Sequence, residues 1–226
     1  MPTAEVEQHQ FQQQDATRLS QLGGWLFRHR TATPVPFFVA LLFVRSGEAA
    51  PSPQLIAAGV TIVAFGEGIR LWGVHHIGAI SRTRADRLGP LVDNGPFALV
   101  RNPLYLGNIA LWAGFALIAR LVWMAPIIIG LLGFEYHAIV RWEEDLLTLR
   151  LGAVYRDYMA RVPRWIPALR RARGAAREGL IEDARPSSFA SSAADPFSWR
   201  DTFFSERGTL IAIAVGYALL WIKARF

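Results

Sequence analysis

The residue pattern with the clearest chemical content is Arg-Asn-Pro-Leu-Tyr-Leu-Gly at positions 101–107. Asn102 is suited to cap a helix whose first position is Pro103, because proline has no N–H group to leave unpaired. The start of such a helix presents unpaired backbone N–H groups and a positive dipole, which favour a carboxylate ligand. Tyr105 lies about one helical turn after Arg101, and Gly107 allows a neighbouring helix to approach closely. The pattern indicates either a ligand site at a helix start or only a well-formed entry into an apolar helix.

A second pattern is acidic, with three consecutive carboxylates at 143–145 directly after an apolar segment. Glu143 or Glu144 could bind an ammonium or sulfonium group, whereas the alternative is a solvated acidic face neutralised by nearby arginines. A third pattern, with Tyr155 and Tyr158 followed by Val-Pro-Arg at 162–164, predicts an amphipathic helix that stops at the proline.

Composition narrows the class of protein that could carry these patterns. Of the 226 residues, 52% are hydrophobic, and the apolar residues come in blocks. The formal charge is +6 with a single lysine, Lys223, so the positive charge is almost entirely arginine beside apolar segments. This arrangement is typical of the flank of a membrane protein, and we expect no nucleic-acid partner. Without cysteine the sequence has no disulfides, thiolate metal ligands or cysteine nucleophile, and we expect no metal site.

The elements that must position these residues are helices. We predict an all-α, polytopic membrane bundle of about five transmembrane helices with a cytosolic helical cap over the site. The expected spans are 34–46, 53–80, 103–119, 121–140 and 207–222. Within the second span, Glu67 and Arg70 are three residues apart and able to pair.

Four regions follow from this division. The expected boundaries are 1–33 for a tail with an amphipathic helix, 34–173 for the membrane core, 174–206 for a linker rich in Ala, Ser and Pro, and 207–226 for a C-terminal transmembrane helix. The amphipathic helix either lies in the membrane interface or packs on the protein's own core.

Charge asymmetry predicts the orientation in the membrane. Four arginines occur in 82–101 and nine in 141–177, whereas the opposite connections carry only Arg45, with Glu48, and Arg120. The positive-inside rule therefore places the N-terminus, 81–102 and 141–206 in the cytoplasm. Lys223 and Arg225 then lie on the side that the rule disfavours.

Taken together and in this order, the patterns resemble the superfamily of isoprenylcysteine carboxyl methyltransferases and phospholipid methyltransferases. The resemblance covers about 60–167 and is strongest at 89–107 and 141–167. The matching motifs are Gly-Pro-Phe at 95–97, Arg-Asn-Pro-Leu-Tyr-Leu-Gly at 101–107, Glu-Glu at 143–144, Gly152 with Tyr155 and Tyr158, and Val-Pro-Arg at 162–164. The resemblance implies an integral membrane enzyme that transfers a methyl group from S-adenosylmethionine to a lipophilic acceptor.

The resemblance also implies which residues form the site. The residues expected to line the cofactor are Gly89, Pro90, Leu91, Val92, Phe97, Asn102, Pro103, Leu104, Tyr105 and Glu143. The residues expected to contact the substrate are Arg141, Glu144 and Arg101. No catalytic residue is assigned, although an amine or hydroxyl acceptor would need a base, for which Glu143, Glu144 and His137 are candidates.

Two positions depart from the family pattern. Asn102 stands where the family has a histidine, so it can donate a hydrogen bond but cannot carry a proton. Ile139 stands where the isoprenylcysteine enzymes have an arginine that holds the substrate carboxylate. The acceptor is therefore expected to be isoprenylcysteine carboxylate-like or phospholipid-like. Membrane reductases of the sterol or steroid type, which use a nicotinamide cofactor, resemble the superfamily near the helix-start motif and are an alternative. A non-catalytic lipid-binding relative is a further one.

Overall fold

The computed structural model describes residues 18–78, 91–167 and 198–226, and these ranges contain helices and turns but no strand. The helices are α1 (18–29), α2 (Val35–Phe43), α3 (Pro53–Ile77), α4 (Pro103–Ile118), α5 (Met124–Leu151), α6 (Ala153–Arg161) and α7 (Trp199–Lys223), with a 3-10 turn at Gly95–Ala98. The prediction of an all-α bundle is confirmed.

Three of the described helices, α3, α5 and α7, are long and apolar enough to cross a membrane. Helix α4 is also apolar but has only 16 residues. Helix α2 has nine residues, so it rises about 14 Å and cannot by itself cross a hydrocarbon core of about 30 Å. The predicted span at 34–46 is thus shorter than expected, because the chain becomes extended at Val44 and turns at Gly47, where φ is +72°.

Helix α5 continues without a break from its apolar half into the acidic pattern. Its 28 residues rise about 42 Å, which exceeds the hydrocarbon core by about 12 Å. The helix is thus long enough to cross the core and still carry a polar segment at its C-terminal end. Glu143 and Glu144 lie on this polar segment, in one continuous helix with the apolar residues.

Helices α3 and α4 pack unusually closely along glycines spaced seven residues apart. A Cβ atom added to Gly66 would lie 2.7 Å from the backbone oxygen of Gly107, and one added to Gly114 would lie 2.7 Å from that of Gly59. At the end of the contact, a Cβ atom on Gly73 would lie 2.8 Å from the Leu104 side chain. Small residues at these positions let the two backbones touch, and this contact fixes where α4 begins.

Helix α7 begins at Trp199, before the start that the sequence suggested at 207. The Ser198 hydroxyl accepts a hydrogen bond from the backbone N–H of Asp201 at 3.2 Å, which caps the helix. Further along, Gly216 packs against the Phe115 ring of α4. The C-terminal helix is therefore part of the bundle.

Helix α1 packs on α5 in the structure, which matches the second of its two expected placements. Gly23 lies against the backbone of Ala138, and Gly24 lies against the Trp142 indole. The Phe27 and Trp142 rings are also in contact, with centroids 4.9 Å apart.

The connections between helices gather at two ends of the bundle. At one end, the loop from α2 to α3 meets the end of α7, where Lys223 Nζ lies 3.0 Å from Glu48 Oε1. At the other, the start of α4 meets the segment after α6, where the Arg101 N–H donates to the Pro163 oxygen at 2.9 Å. The three blocks that carry the chemical patterns therefore converge on one end.

Candidate functional site

The start of α4 is the first component of the site. Asn102 occupies the N-cap position and Pro103 the first turn, as predicted, but the Asn102 side chain makes no capping hydrogen bond. Its Nδ2 group instead donates to the backbone oxygen of Arg164 at 3.2 Å, so the expected capping role is wrong. Pro103 has no N–H group, and the Leu106 N–H donates to the Asn102 oxygen. The N–H groups of the two intervening residues, Leu104 and Tyr105, are the ones that helix geometry leaves available to a ligand.

Two predicted cofactor residues meet next to this helix start. The Tyr105 hydroxyl donates to Glu143 Oε1 at 3.0 Å, and the Tyr105 ring stacks on Tyr136 of α5 with centroids 4.7 Å apart and planes inclined by 23°. Glu143 is only partly buried, and Arg30 lies close enough for the opposite charges to attract. The stack fixes the Tyr105 hydroxyl, which in turn orients the carboxylate.

The neighbouring carboxylate has a different environment. Glu144 Oε1 lies 2.8 Å from Arg101 Nη1 and accepts from Arg164 Nε at 3.0 Å, while Glu144 Oε2 lies 2.5 Å from Arg164 Nη2. Glu144 is 7% exposed. Two of the three predicted substrate residues, Arg101 and Glu144, are thus brought together and already neutralise each other. The third, Arg141, is partly buried on α5 and forms no ion pair within the described ranges.

Helix α6 covers the loop that precedes α4. The Tyr158 hydroxyl donates to the Phe97 backbone oxygen at 2.8 Å, and burial raises the pKa of Tyr158 so that it keeps the proton it donates. Leu91 packs against the buried rings of Tyr155 and Tyr158. The predicted cofactor residues Leu91 and Phe97 are therefore held in place by side chains of α6, as the expectation of a helical cap requires.

The remaining predicted residues are distributed as follows. Val92 is partly buried in the same loop, and Leu104 is partly buried against Gly73 of α3. Pro103 is fully buried, so its ring sets the start of α4 and has no surface left for a ligand. The two predicted residues at 89 and 90, Gly89 and Pro90, lie outside the described residues.

Sequence reasoning did not assign three residues that the structure brings to this region: Arg164, Tyr136 and Asn108. Arg164 belongs to the Val-Pro-Arg motif, so its partnership with Glu144 could have been inferred from the two motifs together. Asn108 continues the three-residue spacing of Asn102 and Tyr105 along α4, which places polar side chains on one side of an otherwise apolar helix. Tyr136 carries no such signal.

The arrangement suits a ligand that carries both a negative and a positive group. The uncapped start of α4 attracts a carboxylate through backbone N–H groups and the helix dipole. Glu143, one hydrogen bond away from Tyr105, has a second carboxylate oxygen that can accept from an ammonium group. The two sites of opposite charge are therefore linked through one residue, since the Tyr105 backbone belongs to the helix start and the Tyr105 hydroxyl bonds Glu143.

Comparison with known proteins is consistent with the sequence patterns. The family model described as phospholipid methyltransferase matches residues 55–153, a segment that contains the start of α4 and both adjacent glutamates. The nickel-cobalt-cadmium resistance protein NccN of Alcaligenes xylosoxydans xylosoxydans is 29% identical over 159 residues, covering 66% of this chain and 70% of the relative. The cobalt-zinc-cadmium resistance protein CzcN of Cupriavidus metallidurans is 28% identical over 123 residues, or 54% of each chain. No solved structure matches the chain significantly.

Proposed function

We propose that the chain is an integral membrane enzyme that transfers a methyl group from S-adenosylmethionine to a lipophilic acceptor. The proposal is supported by the match of residues 55–153 to the family model described as phospholipid methyltransferase. The observation that carries the cofactor assignment is the 3.0 Å hydrogen bond from Tyr105 to Glu143. It joins the uncapped start of α4 to a carboxylate that is 38 residues away in the sequence.

The residues present fit the amino-acid part of S-adenosylmethionine. Its carboxylate would be held by the N–H groups of Leu104 and Tyr105, and its ammonium group by Glu143. The loop residues Leu91 and Phe97, held by α6, would cover the remainder of the cofactor. When bound, the cofactor supplies a methyl group that is already activated by the positive sulfonium centre.

The chain's own contribution is then alignment and exclusion of water. Methyl transfer requires the acceptor atom in line with the bond that breaks, and fixed geometry can supply much of the rate enhancement. Glu144 is poorly placed as a base because two arginines already hold its carboxylate. His137 is partly buried on α5, near enough to Arg164 and Arg141 to be influenced by their charges. An acceptor that is itself an anion would need no base.

The location of the site would let each of the two substrates arrive from its own solvent, water for the cofactor and lipid for the acceptor. The site lies at the polar C-terminal end of α5, where the polar cofactor would arrive from water. Exposed apolar side chains of the same bundle, such as Ile127, Leu131 and Phe134 on α5, would face the bilayer, from which a lipid-like acceptor would enter. The charge asymmetry supports a cytoplasmic cofactor side.

The names of the two relatives describe resistance to metals, a property of those proteins. Among the residues that the structure describes, no group of three or more His, Asp or Glu side chains is arranged to hold a metal ion. The proposal therefore rests on the family match and on the contacts of Glu143, and it assigns no metal to this chain.

The decisive experiment measures S-adenosylmethionine binding to the purified full chain by calorimetry, with Glu143→Gln as the test and Asp145→Asn as a matched control. Asp145 is exposed two residues further along α5, so its replacement should leave the dissociation constant unchanged. In the Glu143→Gln variant, the lost hydrogen bond to a charged group should raise the dissociation constant for S-adenosylmethionine about 10- to 100-fold. Unchanged affinity in Glu143→Gln would contradict the assignment.

The reaction is tested by transfer of a labelled methyl group from S-adenosylmethionine to total membrane lipid, followed by identification of the labelled product. A chain that binds a nicotinamide cofactor and no S-adenosylmethionine would be a reductase instead. Binding of S-adenosylmethionine without transfer to any lipid or thiol acceptor would support the non-catalytic alternative.

A further inference from the structure

A second polar cluster lies inside the bundle, centred on Arg70 of α3. The guanidinium donates from Nη1 to Asn108 Oδ1 of α4 at 2.5 Å, and from Nη2 to Glu206 Oε2 at 2.5 Å and Thr209 Oγ1 at 3.1 Å, both on α7. Glu206 is 6% exposed. One planar side chain thus joins three helices, and the rigid fork of the guanidinium fixes their relative positions.

A series of neighbouring side chains leads from this cluster to the proposed cofactor site. Asn108 Oδ1 accepts from Arg70, which leaves the Asn108 Nδ2 group for the Tyr136 side chain, close enough to interact with it. The Tyr136 ring stacks on Tyr105, and the Tyr105 hydroxyl donates to Glu143. The orientation of Arg70 therefore influences where the Tyr105 hydroxyl points.

Two carboxylates compete for Arg70. Glu67, one turn earlier on α3, has Oε2 3.4 Å from Arg70 Nε, and neither of its buried carboxylate oxygens has a hydrogen-bond partner within the described residues. Glu206 holds the opposite edge of the guanidinium, beside the group that bonds Asn108. If Glu206 lost its charge, Arg70 would have Glu67 as its nearest ionic partner, because an unpaired charge is costly inside an apolar bundle. Movement toward Glu67 would pull Nη1 away from Asn108.

We propose that Glu206 is a positioning residue for the cofactor site. By holding Arg70 against Asn108, it fixes Tyr136 and through the ring stack the Tyr105–Glu143 pair. The inference rests on the proposed function, because it assigns to α7 a role in binding S-adenosylmethionine. Helix α7 lies outside the segment that matches the family model. The contact between Glu206 and Arg70 therefore gives a residue outside that segment a role in the site.

The test compares Glu206→Gln with Lys223→Gln in the full chain. Lys223 lies at the far end of α7, where its Nζ group donates to the backbone oxygens of Leu41 and Val44 at 2.8 and 2.7 Å. Both variants weaken the attachment of α7, but only Glu206→Gln disturbs Arg70. We expect Glu206→Gln to weaken S-adenosylmethionine binding about fivefold, with little change in the transfer rate at saturating cofactor, and Lys223→Gln to bind as the wild type does.

A double-mutant cycle with Tyr136→Phe distinguishes transmission through the contacts from a general loosening of the bundle. If Glu206 acts through the Tyr136 hydroxyl, each single variant weakens binding and the double variant is no weaker than the single ones. Should Glu206→Gln fail to fold, Tyr136→Phe alone must show the same loss of affinity, since it removes only a hydroxyl group.

The failures of the two proposals are distinguishable. A wild-type chain that does not bind S-adenosylmethionine overturns the proposed function and this inference with it. A wild type that binds, together with a Glu206→Gln variant of equal affinity, overturns only the inference. Equal weakening by Glu206→Gln and Lys223→Gln, or additive effects of Glu206→Gln and Tyr136→Phe, would also overturn it, because α7 would then act only by its attachment.

Discussion

Replacement of Glu144 by glutamine tests whether Glu144 has a structural role, in contrast to Glu143, the proposed cofactor ligand. Glu144 is ion-paired with Arg101 at 2.8 Å and accepts hydrogen bonds from Arg164 at 3.0 and 2.5 Å. These two arginines come from the residue before the α4 cap and from the segment after α6, so one carboxylate joins three parts of the chain. Glutamine has almost the same shape but no charge, and its amide group would point N–H donors at a guanidinium that can only donate.

The expected cost follows from the burial of the three groups. The exposed fractions of the side chains are 9% for Glu144, 11% for Arg101 and 22% for Arg164. Removing one partner of a buried ion pair costs about 3–5 kcal/mol. Because Arg164 is accessible enough to be hydrated, the lower end applies, and we expect a loss of about 3 kcal/mol in the free energy of unfolding. For a chain of this size that corresponds to a fall in Tm of about 6–12 °C.

The assay is thermal unfolding in detergent at a fixed heating rate, followed by the fluorescence of the eight tryptophans. Asp145→Asn serves as the control, since the neighbouring carboxylate is exposed and its replacement should change stability by less than about 0.5 kcal/mol. Glu143→Gln should lose S-adenosylmethionine affinity with a much smaller fall in Tm. Equal Tm values for Glu144→Gln and Asp145→Asn would refute the structural role, and lost affinity at unchanged Tm would make Glu144 a ligand group.

Two further predictions concern packing and pH. Gly66→Ala should lower the free energy of unfolding by about 1–3 kcal/mol, because the new methyl group would lie 2.7 Å from the Gly107 backbone oxygen. Gly68→Ala on the same helix is the control, since its methyl group would meet nothing within 4 Å. Equal Tm values for the two variants would contradict the close packing of α3 and α4. Burial acts to raise the pKa of Glu48, but its ion pair with Lys223 and the nearby positive charges outweigh this and hold the pKa below its usual range. The stability that Glu48 provides is therefore complete above the ordinary glutamate pKa of about 4.3 and is lost as the pH falls through the lowered value. Thermal unfolding between about pH 3 and 6 should show a shallower acid loss in Glu48→Gln than in the wild type, and parallel curves would exclude this contribution.

The helices could be predicted from the sequence because long apolar segments have few alternatives to helix in a membrane. The ends were less predictable, and α7 shows why. Its start is capped by Ser198, and its first turns carry buried polar residues such as Glu206, which look like part of a polar linker. The burial of Glu206 is compensated by its bond with Arg70, more than a hundred residues earlier in the sequence. The composition of a short stretch of sequence does not reveal a partner so distant in the chain.

The site shows the same division between local pattern and distant partner. The start of α4 was predicted because Asn-Pro before an apolar run is a local signal. The local pattern did not distinguish Glu143 from Glu144, since adjacent residues on a helix differ by about 100° in direction and either could have faced Tyr105. Only the family resemblance assigned Glu143 to the cofactor. Tertiary contacts decide the matter: Tyr105 reaches Glu143, and Arg164 reaches Glu144.

The contacts of Lys223 bear on the orientation of the bundle. The sequence sets Lys223 against the positive-inside rule, which concerns charges that remain accessible near the membrane ends. In the structure the Lys223 side chain is 6% exposed, bonded to two backbone oxygens of the α2 region and paired with Glu48. The same Glu48 also pairs with Arg120. Two of the basic residues at this end, Lys223 and Arg120, are thus bound to one carboxylate. Because the rule concerns accessible charge, the buried Lys223 does not count against the orientation that the arginine distribution predicts, whereas the exposed Arg225 still does.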